Sequence, residues 1–362
     1  MQIPYNDNLD INAFEKMLSM RRLTNSYKLY WLYAILDFVN KSKVSISFDN
    51  ILIKMIALAW HSVITYKLSL GVQDQLSEII IEINNNYKVK ENISHTGLVN
   101  LIAEVIEKDE KIYDNASKLF KYVPYRLISS FYSEKLKGLE DHKKNRLIED
   151  LADDKSAIYR FENDRVVIND DWFKYMKSNM LIINGWLKLK LIKYLQNRNP
   201  NVPAIPFKLD LESNRNLRFA RKYWGNIIEV NEIKGIYTNQ LLNKSNFDVD
   251  HFIPWSFVLH NKIWNLIPSI NNINRIKNNK LPDLNIYLNK FCDQQYNALK
   301  IAIDHNFSEK LLRKIQEDYL EIDLHIDLSK VPPENNFNRS IKNTIKPLHQ
   351  IASNQGFIKW VN

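Results

Sequence analysis

The chain has 362 residues, 45% hydrophobic and 25% charged, with a net charge of +9 and a pI near 9.2. That is enough apolar material for a sizeable core and two or three domains, and it excludes an intrinsically disordered chain. A single cysteine, Cys292, excludes an internal disulfide and a four-cysteine zinc site, and seven glycines are few for a turn-rich β protein. The positive charge admits a polyanionic partner, but it equally describes a lysine-rich solvated surface, and charge alone does not decide between them.

The N-terminal part reads as helices. A short extended arm leads into a helix at Ile11 to Met20. Thr24-Asn25-Ser26 then caps an aromatic-rich helix through about Asn40, and Phe48-Asp49 opens another from Asn50 to Tyr66. Ile51, Met55, Ala59 and Trp60 recur at helical spacing, a pattern that more often marks core than a cofactor site. The apolar stretches Leu29 to Val39 and Ile51 to Tyr66 are broken by Asp37, Lys54 and His61, so neither suits a bilayer span. With no signal-peptide pattern at the start, a soluble cytoplasmic protein without membrane contact is expected. Further helices are expected at about 73–84, 96–107, 112–121 and 143–151, with Asn-rich breaks between them.

Alternation on each side of Asn163-Asp164 predicts a small β-hairpin, near 157–168. A long helix is expected from Asp170-Asp171 to about Gln196. Its Lys188, Lys190 and Lys193 could face phosphate, but are more often a solvated face. Three prolines between Pro200 and Pro206 exclude helix there and mark the best domain boundary. Beyond it, Asn214 to Trp224 gathers Arg215, Arg218, Arg221 and Lys222, of which Arg215, Arg218 and Lys222 would share a helical face. Residues 205–290 hold 12 Lys and Arg against 7 Asp and Glu, a positive excess. Phosphate clamping is one reading of that cluster and a solvated face the other.

Chemistry concentrates between Asp248 and Lys277. Phe247 to Ile253 alternates as a half-buried strand does, and Pro254 ends its pairing. Leu266 and Ile267 form a second short strand closed by Pro268, and Ser269 is the expected N-cap of a helix from Asn271 to Lys280. Asp248-Val249-Asp250-His251-Phe252-Ile253-Pro254, followed by Asn265, Asn274 and Lys277 in this strand, loop, strand, helix order, resembles the HNH (ββα-metal) endonuclease superfamily. The motif looks most like the HNH domain of type II CRISPR effector nucleases.

The resemblance implies that Asp250 and Asn274 bind a divalent metal and that His251 is the general base. It implies that Asn265 pins the loop by hydrogen bonds to backbone, and that Lys277 lies near the phosphate, with Arg275 beside it among the nucleic-acid contacts. One carboxylate and one amide form a thin all-oxygen set that suits Mg²⁺, with Mn²⁺ as a substitute, and no structural zinc is expected. Products with 5′-phosphate and 3′-hydroxyl ends are implied.

The expected architecture is mainly α with a small α+β (ββα-metal, HNH) core near the C-terminal third. Residues 1–197 form a helical domain for target or partner binding, 205–290 the HNH domain, and 291–362 a C-terminal helical extension. That layout looks like bacterial restriction and phage-defence nucleases acting on DNA. Two alternatives stand beside it: a nucleic-acid-binding subunit whose HNH fold is structural, and a nuclease acting on RNA. His260, His305, His325 and His349 receive no role, although His260 lies in the loop that the site spans. Cys292 is expected to be buried and inert.

Overall fold

Few glycines and many long apolar side chains at helical spacing give a chain that is 60% helix and 8% strand. The computed structural model describes residues 2–90, 93–209 and 215–362. They fall into two compact units, Met1–Pro200 and Asn201–Asn362. Among the described residues, no helix is long and apolar enough to cross a membrane.

The first unit is built on the helix Tyr27–Asn40, which buries Leu29, Tyr30, Trp31, Leu32, Ala34, Ile35, Leu36 and Val39. A helix apolar on all sides must be covered on all sides. The helices Phe48–Ile64, Val123–Ile128, Asp170–Ser178 and Met180–Arg198 pack against it. Ser47 caps Phe48–Ile64 by accepting from the Asn50 N–H at 3.3 Å.

The expected helix from Asp170 to Gln196 is broken at Asn179, whose side-chain amide donates to the Tyr175 carbonyl at 2.9 Å. The Asn179 backbone N–H also goes to the Tyr175 carbonyl, at 3.1 Å, and Asn179 is the C-cap of the first segment. Tyr159–Glu162 and Arg165–Ile168 pair about a turn at Asn163, which has φ 52°. A third strand, Ser45–Ser47, pairs antiparallel with Arg165–Ile168. Three residues are too few for alternation to announce a strand.

In the second unit, Phe247–His251 pairs antiparallel with Leu266–Ile270, and the helix Asn271–Lys277 follows directly. Both strands are edges, so Pro268 opposite Val249 is tolerated. Ser269 is not the N-cap: it lies in the strand, Ile270 takes the cap position, and no side chain caps the helix. The ladder therefore runs two residues further than the proline suggests.

Residues 205–290 and 291–362 are separate parts by sequence pattern, yet both lie in this unit. The reason is packing. Phe291 of the helix Leu284–Asp304 stacks on Phe252 at 4.1 Å. Gln295 donates to the carbonyls of Ile263 and Leu266 at 3.0 and 2.7 Å, and Asp318 accepts from the Ile263 N–H. The C-terminal helices are thus the back wall of the loop between the two strands. Gly235 to Asn239 is a turn closed by the bridge Lys234–Leu241. Tyr237 there packs against Tyr287 and Trp360 at 5.1 and 5.0 Å, so aromatic contacts tie this turn down.

Candidate active site

The strand Phe247–His251 places Asp248 and Asp250 on one face, as period two requires. The helix Asn271–Lys277 lies across that strand and brings Asn274 and Lys277 to it, one turn apart. Asp248, Asp250, His251, Asn274, Arg275, Arg215 and Arg221 line one cavity of about 370 Å³.

His251 is 2% exposed and is held at both ring nitrogens. Its Nε2 lies 3.2 Å from the His260 carbonyl and 3.0 Å from Asn261 Oδ1. A carbonyl can only accept, so Nε2 carries the proton and Nδ1 keeps its lone pair. Asn261 is itself oriented by donating to the Asn216 carbonyl at 3.2 Å, which turns its oxygen toward the imidazole. Nδ1 faces the guanidinium of Arg215 at 3.1 Å. Burial first, and the Arg215 charge second, hold the His251 pKa well below 6.5, so the ring is neutral at physiological pH.

Asp250 sits beneath, 2% exposed. Lys277, fully buried, reaches both of its oxygens at 3.0 and 3.1 Å and also donates to the His251 carbonyl at 2.7 Å. The three ammonium protons therefore have three acceptors. Tyr237 donates its hydroxyl to Asp250 Oδ2 at 2.8 Å. Burial pushes the Asp250 carboxyl up and the Lys277 ammonium down from their ordinary values, and each offsets the other's shift.

Lys277 is thus a buried counter-ion to Asp250. Its position three residues after Asn274 does put it on the same helical face, but that face turns inward at this point.

Asn274, half-buried, donates to Asp248 Oδ2 at 3.1 Å, so its first partner is Asp248 rather than Asp250. Asp248 also pairs with Arg221 at 2.5 Å. A cation at this site would draw on Asp250, Asn274 and Asp248. Asp250 Oδ1 accepts from Lys277, and a carboxylate oxygen has two lone pairs, so it retains acceptor capacity. The described residues contain no cluster of three or more His, Cys, Asp or Glu side chains able to hold a metal. Two carboxylates and an amide oxygen nevertheless fit a hard ion that keeps several waters.

Asn265 has no exposed surface, and its amide closes a two-way bond with Ile253: Oδ1 accepts from the N–H at 2.8 Å and Nδ2 donates to the carbonyl at 2.9 Å. Asn265→Ala should therefore cost about 2–4 kcal/mol, because both Ile253 groups are left buried and unpaired. Chemical denaturation of the variant checks this, and a cost under about 1 kcal/mol, the scale of one ordinary hydrogen bond, would show that the loop is held elsewhere.

The basic cluster divides. The helix expected from Asn214 begins only at Arg218; Asn214 itself lies outside the described residues. Arg215, Arg218 and Arg221 line one further cavity beside the site, whereas Lys222 faces a different one with Phe219 and Lys314. The common face of Arg215, Arg218 and Lys222 is not formed, because Arg215 precedes the helix. Arg275 is exposed at the rim.

His260 packs tilted against Trp264, with ring centroids 4.8 Å apart, and burial lowers its pKa to about 4. It supplies a carbonyl to the site. Cys292 is buried, and its thiol is pushed up to about 12.

Asp248 is legible from its period-two relation to Asp250. Tyr237 and Asn261 carry no sequence signal, since neither lies at a fixed offset from the motif. Residues 233–283 match the family described as HNH endonuclease. No curated protein and no solved structure matches the chain.

Proposed function

With an HNH endonuclease segment at residues 233–283, we propose that the chain is a metal-dependent nuclease that hydrolyses phosphodiester bonds in DNA. The observation that carries this reading is the imidazole of His251. Its Nε2–H is committed to a carbonyl, and its unprotonated Nδ1 accepts from Arg215, which lines the same cavity as Asp248, Asp250 and Asn274. A neutral, fixed base beside an all-oxygen pocket is what abstraction of a proton from water requires.

Asp250 and Asn274, with Asp248, would hold Mg²⁺, or Mn²⁺ in its place. When bound, the ion supplies charge to the non-bridging and leaving oxygens of the phosphodiester. His251 Nδ1 takes the water proton, and the His260 carbonyl and Asn261 stabilise the imidazolium that forms. Arg215 occupies Nδ1 in the present arrangement, so it must exchange that contact for a phosphate oxygen as the substrate enters. Arg218, Arg221 and Arg275 extend the positive rim. Bacterial restriction or phage defence is the proposed setting, on the strength of layout alone: a helical unit ahead of one nuclease segment.

A second reading, a nucleic-acid-binding subunit with a structural HNH fold, has one observation in its favour. Lys277 already neutralises Asp250. Incubation of the chain with supercoiled plasmid, with Mg²⁺ and with EDTA, separates the two. Relaxation or linearisation in Mg²⁺ that EDTA abolishes is expected. Binding without cleavage in either Mg²⁺ or Mn²⁺ would favour the subunit, and cleavage of RNA but not of DNA would move the substrate assignment.

Replacing Arg215, Arg218 and Arg221 together with glutamine should flatten the salt dependence of DNA binding, by about one unit of log–log slope for each phosphate that the variant no longer neutralises. An unchanged slope in filter binding across a salt series would make these arginines a solvated face.

A further inference from the structure

The first unit holds a cavity of about 490 Å³ that has no part in the nuclease reading. Its sixteen lining residues include five cations, Arg22, Lys28, Lys118, Arg126 and Lys144, and no aspartate or glutamate. Arg126 and Lys144 share Asp141, which lies outside the lining, at 3.4 and 2.8 Å.

Lys28 has no such counter-ion. Half-buried on the helix Tyr27–Asn40, it forms no ion pair among the described residues, and its one hydrogen bond is a long 3.5 Å contact to the Arg22 carbonyl. Burial, with Arg22 and Arg126 nearby, lowers its pKa to about 8. A half-buried ammonium facing other cations is costly unless an anion joins them. Buried Leu119, Val123 and Leu136 make part of the lining apolar, and the Ser133 hydroxyl accepts from Arg22 at 3.3 Å. Tyr122 offers a ring at the rim, 47% exposed.

We propose that this cavity binds a small phosphate-bearing ligand of nucleotide size. Its volume falls in the range of small-molecule sites, roughly 300–1,000 Å³. The cations come from separate segments and converge on one hollow, whereas a nucleic-acid strand is tracked by charges strung along a groove. The ligand places its phosphate against Lys28 and Arg22, and the apolar part of the lining and Tyr122 receive the remainder. This inference rests on the first unit alone and stands whether or not the chain cuts DNA.

Calorimetric titration of the full chain in EDTA, with pyrophosphate, ATP, adenosine and a single-stranded oligonucleotide as probes, tests it. Pyrophosphate and ATP should bind and adenosine should not. Lys28→Gln should weaken both phosphate probes by about tenfold or more, the scale of a charge-assisted hydrogen bond, and leave oligonucleotide affinity unchanged. The ligand-free variant should melt no lower than the parent, because it loses an uncompensated charge. Arg22→Gln, at an exposed residue, supplies the same readout if Lys28→Gln does not fold.

Failure of pyrophosphate and ATP to bind would overturn the proposal. So would binding that neither variant weakens, since the anion would then sit elsewhere. An oligonucleotide that displaces ATP and loses affinity equally in Lys28→Gln would make the cavity part of a strand-binding track, and the small-ligand proposal would fall.

Discussion

His251→Ala should bind DNA and metal nearly as well as the parent and cut on the order of a hundredfold more slowly or worse, the usual scale for loss of a general base. The geometry separates the two effects. His251 touches the His260 carbonyl, Asn261 and Arg215, and reaches neither carboxylate nor the Asn274 amide. Its removal therefore leaves the oxygen donors in place. It also frees Arg215, so DNA affinity at low salt should hold or rise slightly. Single-turnover cleavage of plasmid under saturating Mg²⁺, with binding measured separately, checks both halves. Cleavage at the parent's rate would end the assignment of His251 as base, and the non-catalytic subunit would become the leading reading.

Asp250→Ala should abolish cleavage and destabilise the fold as well, by about 3–5 kcal/mol, because Lys277 would be left as a buried charge with no partner. From sequence alone, a metal ligand is expected to be removable at little cost to folding. The structure changes that expectation, since Asp250 also closes the bonds of Lys277 and Tyr237. Asp250→Ala combined with Lys277→Met should recover much of the lost stability while remaining inactive. Urea denaturation of the parent, the single variant and the double variant gives the comparison. A single variant as stable as the parent would show that the Asp250–Lys277 pair contributes nothing net to folding. Asn274→Ala should lose cleavage without that cost, because its amide donates to Asp248, which stays paired with Arg221.

Much of the nuclease segment can be read without coordinates. Alternation in Phe247 to His251, the short run at Leu266-Ile267 and the asparagine-rich helix after it are local patterns. Local patterns follow from the geometry of consecutive residues. The pinning role of Asn265 is implied by the family resemblance and by no local pattern; in the fold its amide closes a two-way bond with Ile253. Pattern and structure part at Asn179, the C-cap of a helix that apolar spacing would have continued, and at Ser269, which the strand ladder carries past its expected cap.

Local patterns along the chain set the strand, loop, strand, helix order, and with it the residues that meet across one strand and one helix. Which way each side chain turns, and what it meets from elsewhere, was decided only by tertiary packing. Lys277 and Arg215 are both cations near the motif, and no pattern separates them. The helix Asn271–Lys277 turns Lys277 inward, where only a carboxylate makes a buried ammonium tolerable, and Asp250 takes that place. Arg215 precedes the helix Arg218–Val230, and its long side chain reaches the one lone pair on His251 that the loop leaves open. Burial makes an unpaired charge expensive, so the partner of each cation is set by what lies within reach in the folded chain. Distance along the sequence does not record that.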